Sequence, residues 1–191
     1  MDQTIKNFEI LLGISGGIAA YKAAALCSQL AQRGVGVNVI LTEHATHFIS
    51  PLTLSTLSGR QVYSSLWEAE KVYEAQHISL TAAADLIVVA PATANILAKV
   101  AAGICDDLLS TLLIAAESPV LLAPAMNPRM WEHPATQRNV ATLREWGLRF
   151  IGPDEGRMAC GDLGLGRMSE PEVILAKIIE LLAGKTPKKG A

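Results

Sequence analysis

Charge, long apolar runs and cysteine are all scarce in this sequence of 191 residues. Charged residues make up 18% of the chain and the formal net charge is -2, which excludes the basic surface of a nucleic-acid-binding protein. The longest apolar runs, such as ADLIVVAPATANILA at 84–98, are interrupted by Asp, Pro and Asn, so none is expected to cross a membrane. The start, MDQTIKNFEI, lacks the basic region of a secretory signal, and we expect no export.

Only three cysteines occur, Cys27, Cys105 and Cys160, and they form neither a C-x-x-C pair nor an even-numbered disulfide framework. A reducing, cytoplasmic location is therefore expected. Cys27 shares a helical face with Ala23 and Leu30, which predicts a core position, and packing is also the preferred role for Cys105. Cys160 lies among glycines with little core to join, and this favours reactivity or contact with a ligand.

Hydrophobic residues make up 50% of the chain, enough for a full core, and the length suits one domain over 1–183 with a mobile tail or linker start at 184–191. Apolar runs predict strands at 8–14, 35–42, 84–92, 118–126 and 148–152. Helical patterns lie at 17–33, 93–102, 107–117, 134–146 and 170–183. Continuous apolar strands between helices are typical of an α/β fold with a doubly wound parallel sheet in three layers.

Ligands of such folds bind beyond the carboxyl ends of the strands. In GISGGIAAYK, which joins the first strand to the first helix, Gly16 and Gly17 allow close backbone approach, and the helix N-terminus favours an anion such as a phosphate. The stretch does not match G-x-G-x-x-G and has no GK[ST], so a tight turn is the alternative.

The next strand end, LTEHATHF, offers several polar groups. Thr42 suits a phosphate or a ribityl hydroxyl, and Glu43 suits the ribose of a nicotinamide cofactor. His44 and His47 have the spacing of a metal pair, but no acidic or cysteine cluster supports one. Surface or capping roles are preferred for both histidines, and no metal site is expected.

Two further strand ends, APATANI and APAMNPRMW, share a design in which Ala-Pro-Ala is followed by a side-chain amide. Asn95 and Asn127 suit either a ligand or the cap of the next helix, and the occurrence of two copies favours a ligand site. Met126, Met130 and Trp131 would serve as apolar walls of that site or as core residues.

Five motifs in order, SGGIAAYK, HISL, PATAN, PAMNPRMW and ACGDLGLGRM, resemble the homo-oligomeric flavin-containing cysteine decarboxylases. The resemblance runs from Ile10 to about Leu182 and is strongest to members acting on 4'-phosphopantothenoylcysteine in coenzyme A biosynthesis. Thr93 stands where the family usually has Ser, and it keeps the hydroxyl. The resemblance implies a flavodoxin-like fold that binds FMN.

The family's residue roles carry over by position. His77, which is predicted to lie just before a short helix, corresponds to the active-site histidine. Asn127 corresponds to the residue that holds the substrate carboxylate, and Cys160 to the thiol of a mobile clamp at 156–168. The implied FMN contacts are Gly16, Gly17, Ile18, Thr42, His44, Thr93, Ala94, Asn95 and Ala125. The implied substrate contacts besides Asn127 are Met130, Arg157, Ala159 and Met168.

The implied reaction oxidises the cysteine moiety to a thioaldehyde, releases CO2, and reduces the resulting enethiol to 4'-phosphopantetheine, with Cys160 as the proton donor. Family members form trimers, often as dodecamers. A phosphopantothenoylcysteine synthetase is expected as a partner or as a missing domain.

Two alternatives stay open. One is a peptidyl-cysteine decarboxylase of lantibiotic maturation; members of that group lack the clamp cysteine, so ACGD argues against it. The other is a non-enzymatic regulatory subunit with this fold; such subunits carry long acidic tails, and this sequence shows none. HISL and PAMN are not marks of flavin prenyltransferases, and GISGG fits a nicotinamide dehydrogenase poorly.

Overall fold

The computed structural model describes residues 5–66, 76–157, 161 and 163–188, with side chains described in all of these ranges except at 76–79. Its centre is a sheet of six parallel strands in the order β3-β2-β1-β4-β5-β6. The strands are β1 (Glu9–Ile14), β2 (Gly36–Leu41), β3 (Val62–Tyr63), β4 (Leu86–Ala92), β5 (Val120–Pro124) and β6 (Arg149–Phe150). Every residue of β4 is buried, which explains the unbroken apolar character of this stretch.

Helices cover both faces of the sheet. They are α1 (Ala20–Gln32), α2 (Pro51–Ser58), α3 (Gln76–Ala83), α4 (Ala94–Ala102), α5 (Leu108–Ile114), α6 (Pro128–Glu132), α7 (Pro134–Glu145) and α8 (Pro171–Leu182), with a 3-10 turn at Glu43–His47. Alternate residues of β1 serve the two cores, since Leu12 packs with α1, α2 and α8 and Leu11 packs with α4, α5 and α7. The predicted three-layer, flavodoxin-like architecture is confirmed. No helix in the described ranges is long and apolar enough to cross a membrane.

The five predicted strands and five predicted helices are all present within their predicted limits. The helices α2 and α6 and the short strand β3 were not predicted, because each is too short to show a periodic pattern. Two expectations were wrong. His77 lies inside α3 and not before it, and Cys105 is exposed in the turn between α4 and α5 instead of packed.

The glycine-rich segment contains an antiparallel hairpin that was not predicted, formed by β7 (Asp154–Arg157) and β8 (Leu163–Arg167). The backbone N–H of Met126 donates to the carbonyl of Gly166 at 2.9 Å, which fastens β8 to the end of β5. A Cβ at Gly164 would lie 2.9 Å from Cγ of Pro128, so only glycine lets β8 approach α6 this closely. Gly164 therefore serves the close packing of the hairpin.

The chain after α8 contacts the amino ends of β4 and β5. The backbone N–H of Lys188 donates to Oδ1 of Asp85 at 2.6 Å, and its Nζ donates to the hydroxyl of Ser118 at 2.8 Å. The same Asp85 accepts from the backbone N–H of Glu9 at 2.7 Å. One carboxylate thus connects β1, β4 and the segment 184–188.

Candidate active site

A cavity of about 670 Å³ opens where β1, β2, β4 and β5 end, at the carboxyl edge of the sheet. The side chains and backbone that follow these four strands form most of its wall, and the β7–β8 hairpin supplies another part. Every residue that the resemblance assigns to FMN lines this cavity: Gly16, Gly17, Ile18, Thr42, His44, Thr93, Ala94, Asn95 and Ala125. Among the implied substrate contacts, Asn127, Met130, Arg157 and Met168 also line it.

Gly16 brings the β1–α1 turn against the 3-10 turn that follows β2. A Cβ at Gly16 would lie 2.8 Å from the carbonyl carbon of His44 and would overlap its Cβ. A Cβ at Gly17 would make only an ordinary contact, 3.5 Å from Cγ2 of Thr93. Gly16 is therefore required by the approach of two loops, whereas Gly17 leaves open space beside the cavity.

Ser15 links the ends of β1 and β4. Its hydroxyl donates to the carbonyl of Pro91 at 2.7 Å and accepts from the backbone N–H of Thr93 at 3.0 Å. Thr93 in turn caps α4, with its hydroxyl accepting from the backbone N–H of Ile96 at 3.5 Å. This network fixes the backbone from which Ala94 and Asn95 reach the cavity.

The two predicted amides have different local roles. Asn127 caps α6, because its Oδ1 accepts from the backbone N–H of Arg129 at 2.9 Å, and it lines the cavity as well. Asn95 is exposed at the second position of α4, where Thr93 already provides the cap. Asn95 therefore does not cap α4, whereas Asn127 caps α6 and also lines the cavity.

One part of the wall is charged. Nζ of the buried Lys22 donates to the carbonyl of Met168 and to Oε1 of Glu170, both at 3.0 Å. The same carboxylate oxygen lies 3.1 Å from Nη2 of Arg167. Together with Arg157, these side chains place three cations and one carboxylate on the described wall of the cavity.

Not every predicted residue can be located. Ala159 and Cys160 lie outside the described residues, and so does the side chain of His77, although its backbone belongs to α3. Met168 is buried at 1% exposure, so it contributes to the cavity floor and to the core together. Trp131 is a core residue at 7% exposure, which decides between its two predicted roles.

Four cavity residues were not predicted from the sequence: Ser15, Lys22, Arg167 and Glu170. A serine at a strand end and a lysine one turn into a helix carry no periodic or spacing signal. Arg167 ends a hairpin that was itself not predicted, and Glu170 follows it. The signal that was available was position, since Ser15 and Lys22 flank the predicted glycine turn.

The family model described as Flavoprotein matches residues 1–183. The coenzyme A biosynthesis bifunctional protein CoaBC of Bacillus subtilis is 50% identical over 171 residues, which cover 90% of this chain and 42% of that protein. The chain therefore spans less than half the length of the curated relatives it matches.

Two solved structures resemble this one closely. A PPC decarboxylase mutant complexed with pantothenoylaminoethenethiol superposes with a TM-score of 0.84 at 35% identity, covering 91% of this chain and 97% of that one. SpaF, an FMN-dependent cysteine decarboxylase, gives a TM-score of 0.78 at 35% identity, covering 95% and 99%. The similarity thus extends over more than nine-tenths of this chain in both comparisons. On the match of the family model to residues 1–183, this chain belongs to the Flavoprotein family.

Proposed function

We propose that the cavity binds FMN and that the protein decarboxylates 4'-phosphopantothenoylcysteine to 4'-phosphopantetheine. The observation that carries the proposal is that Thr93–Asn95 and Asn127, from two neighbouring strand ends, line one cavity together with the β7–β8 hairpin. The B. subtilis relative is a coenzyme A biosynthesis protein, and both similar structures are cysteine-acting or PPC decarboxylases.

The residues present fit FMN. The cavity volume of about 670 Å³ lies in the range of small-molecule and cofactor sites. Thr42 and Thr93 offer hydroxyls, Asn95 offers an exposed amide, and the Gly16–Gly17 turn offers backbone next to the start of α1, where a phosphate is favoured. Ile18 and Met130 add apolar surface of the kind that a planar ring system requires.

FMN, when bound, would supply the reversible two-electron oxidation that creates an acceptor for the electron pair left on the substrate as CO2 departs. The chain's own residues hold the substrate in place for this step. The amide of Asn127 is the group that would hold the substrate carboxylate, and its position is set by the cap it forms on α6. Arg157, Met130 and Met168 would line the rest of the substrate path.

Two roles rest on residues whose side chains are not described. We assign His77, on α3, to orientation of the substrate or movement of a proton during decarboxylation. We assign Cys160, which lies in the chain between β7 and β8, to protonation of the enethiolate after CO2 has left. A clamp at 156–168 that carries this thiol would open for a long substrate and then exclude water. The bound pantothenoylaminoethenethiol in the similar mutant structure is an enethiol of this type.

Incubation with 4'-phosphopantothenoylcysteine, followed by mass spectrometry, tests the reaction. The flavin-loaded protein should form 4'-phosphopantetheine and should ignore a peptide that ends in cysteine. Turnover of the peptide alone would favour the peptidyl-cysteine decarboxylase alternative. Flavin binding with turnover of neither compound would favour the non-enzymatic alternative.

For the assembly we propose a homotrimer, or a dodecamer of four trimers, in the cytoplasm. Support comes from Ile18 and Tyr21, which line the cavity and yet are 61% and 63% exposed in the single chain. Light scattering should then give three or twelve times the chain mass of 20.3 kDa.

We further propose that residues 1–183 form the decarboxylase domain. Residues 184–191 form a tail or lead towards a synthetase, which is either a second domain or a separate partner.

A further inference from the structure

We propose that Arg167, held by Glu170, binds the 4'-phosphate of the substrate and makes phosphorylated compounds the preferred ones. The inference rests on the proposed function, which names the substrate but leaves open which residues distinguish its phosphate. Arg167 has no role in the residue assignments carried over from the family resemblance.

The described wall of the cavity carries more positive than negative charge. Lys22, Arg157 and Arg167 stand against the single carboxylate of Glu170 on the described wall. A phosphomonoester carries a charge of about -1.5 to -2 near neutral pH, which matches this excess of positive charge. A cysteine carboxylate alone, which Asn127 is positioned to hold, does not account for it.

The ion pairs around Glu170 are the second argument. Its Oε1 accepts from Nζ of Lys22 at 3.0 Å and lies 3.1 Å from Nη2 of Arg167. Lys22 is 8% exposed at its side chain and is also fixed by the carbonyl of Met168, so it anchors the carboxylate from within the protein. Glu170 therefore acts as a positioning residue that holds one edge of the Arg167 guanidinium.

The remaining donors of Arg167 are the third argument. Within the described part of the chain, the Arg167 guanidinium makes one polar contact, that with Glu170. Arginine has five N–H donors, so most of them are left for a ligand. The side chain is 43% exposed and extends beside β7, where a Cβ at Gly156 would lie 3.4 Å from its Cζ. A guanidinium fixed at one edge and open at the other has the geometry that binds phosphate oxygens in pairs.

FMN also carries a phosphomonoester, so the source of the phosphate must be decided. The parts of the cavity assigned to FMN, Gly16–Ile18, Thr42 and Thr93–Asn95, follow β1, β2 and β4 and offer hydroxyls, amides and backbone. Arg167 is the last residue of β8, and all of β8 lies within the segment 156–168 that is assigned to the substrate clamp. This placement favours the phosphate of the substrate.

The test compares 4'-phosphopantothenoylcysteine with pantothenoylcysteine in the wild type and in Arg167→Gln. We expect the wild type to prefer the phosphorylated compound in kcat/KM by about 100-fold or more, because loss of a charged partner leaves the site's donors unpaired. In Arg167→Gln this ratio should fall by about 10-fold or more, and Arg167→Lys should restore part of it. Arg138→Gln, an exposed arginine on α7 outside the cavity, is the matched control and should keep the ratio.

Three results would overturn the assignment. A wild type with no preference would show that the phosphate is not recognised. An Arg167→Gln variant that loses activity on both compounds equally would show a structural role only. A variant that keeps the substrate ratio but loses its preference for FMN over riboflavin would assign Arg167 to the phosphate of FMN.

A binding measurement separates this inference from the proposed reaction. Calorimetric titration of the flavin-loaded protein with 4'-phosphopantetheine and with pantetheine should show the same preference, and Arg167→Gln should reduce it. If neither cysteine compound is decarboxylated but this preference is present, the proposed reaction is wrong and the phosphate site stands. Equal affinity for the two pantetheines would contradict the phosphate site whatever the activity.

Discussion

The hydroxyl of Ser15 lies 3.0 Å from both the backbone nitrogen and the hydroxyl oxygen of Thr93. The two residues follow adjacent parallel strands, and both line the cavity. Ser15 is buried at 2% exposure, and it also donates to the carbonyl of Pro91. One buried hydroxyl therefore sets the geometry of the strand ends from which a flavin would be held.

Ser15→Ala should lower the free energy of unfolding by about 1–3 kcal/mol, because the N–H of Thr93 and the carbonyl of Pro91 lose a buried partner. Flavin affinity should fall as well, since Thr93 carries one of the hydroxyls of the site. Urea denaturation and flavin titration measure the two effects. Thr56→Ala, which removes an exposed hydroxyl on α2, is the control and should change stability by less than about 0.5 kcal/mol.

Gly16→Ala should destabilise the protein without flavin by about 1–3 kcal/mol, because the new methyl group overlaps His44 and must displace the 3-10 turn. Gly17→Ala is the matched control, since its methyl group meets Thr93 only at 3.5 Å and should change stability by less than about 1 kcal/mol. Thermal unfolding of both variants decides the matter. Equal stability of the two would show that the turns do not approach as closely as described.

Asn127→Asp separates the two roles of this residue. Aspartate is as good a helix cap as asparagine, so the free energy of unfolding should stay within about 0.5 kcal/mol of the wild type. The substrate carboxylate would meet a like charge, which costs several kcal/mol and should lower kcat/KM by about 100-fold or more. Retained activity in a stable variant would remove Asn127 from substrate binding and leave it as a cap alone.

Burial raises the pKa of the Cys27 thiol from an ordinary 9.0 to about 11. At pH 8 its thiolate fraction is then about 100-fold lower than that of an ordinary thiol, so alkylation of the folded protein should spare Cys27 and modify the exposed Cys105. Peptide mapping after brief iodoacetamide treatment measures this. The pKa of Cys27 is higher in the folded protein than in the unfolded chain. Cys27 therefore costs the folded state no stability below pH 9, but the free energy of unfolding should fall as the pH rises towards 11, because the unfolded chain then loses the thiol proton more readily. Rapid labelling of Cys27 at pH 8 would contradict its buried position.

The fold could be predicted because its signals are local. The apolar run of β4 needs only burial on both faces, and α1 ends two residues before the helix breaker Gly34. The hairpin could not be predicted, because its strands are short, three of their nine residues are glycine, and β8 is docked by contacts with Met126 and Pro128 that are distant in sequence.

The cavity was predicted in part for the same reason. Ligands of parallel sheets bind beyond the carboxyl ends of the strands, and this rule alone predicts that Gly16, Thr42, Asn95 and Asn127 share one site. The Lys22–Glu170 pair joins residues that are 148 positions apart, and no pattern in a single sequence indicates such a partner.

A single-turnover measurement tests the central claim, that this cavity decarboxylates its substrate by a flavin-dependent oxidation and reduction. The flavin absorbance and the released CO2 are followed after mixing the flavin-loaded protein with 4'-phosphopantothenoylcysteine, for the wild type and for Cys160→Ala. The wild type should bleach and recover while forming 4'-phosphopantetheine. The Cys160→Ala variant should release about one CO2 per flavin, and its flavin should stay bleached in the absence of air. Its product should be two hydrogens lighter than 4'-phosphopantetheine. Release of CO2 by the wild-type protein from which flavin has been removed would contradict the account.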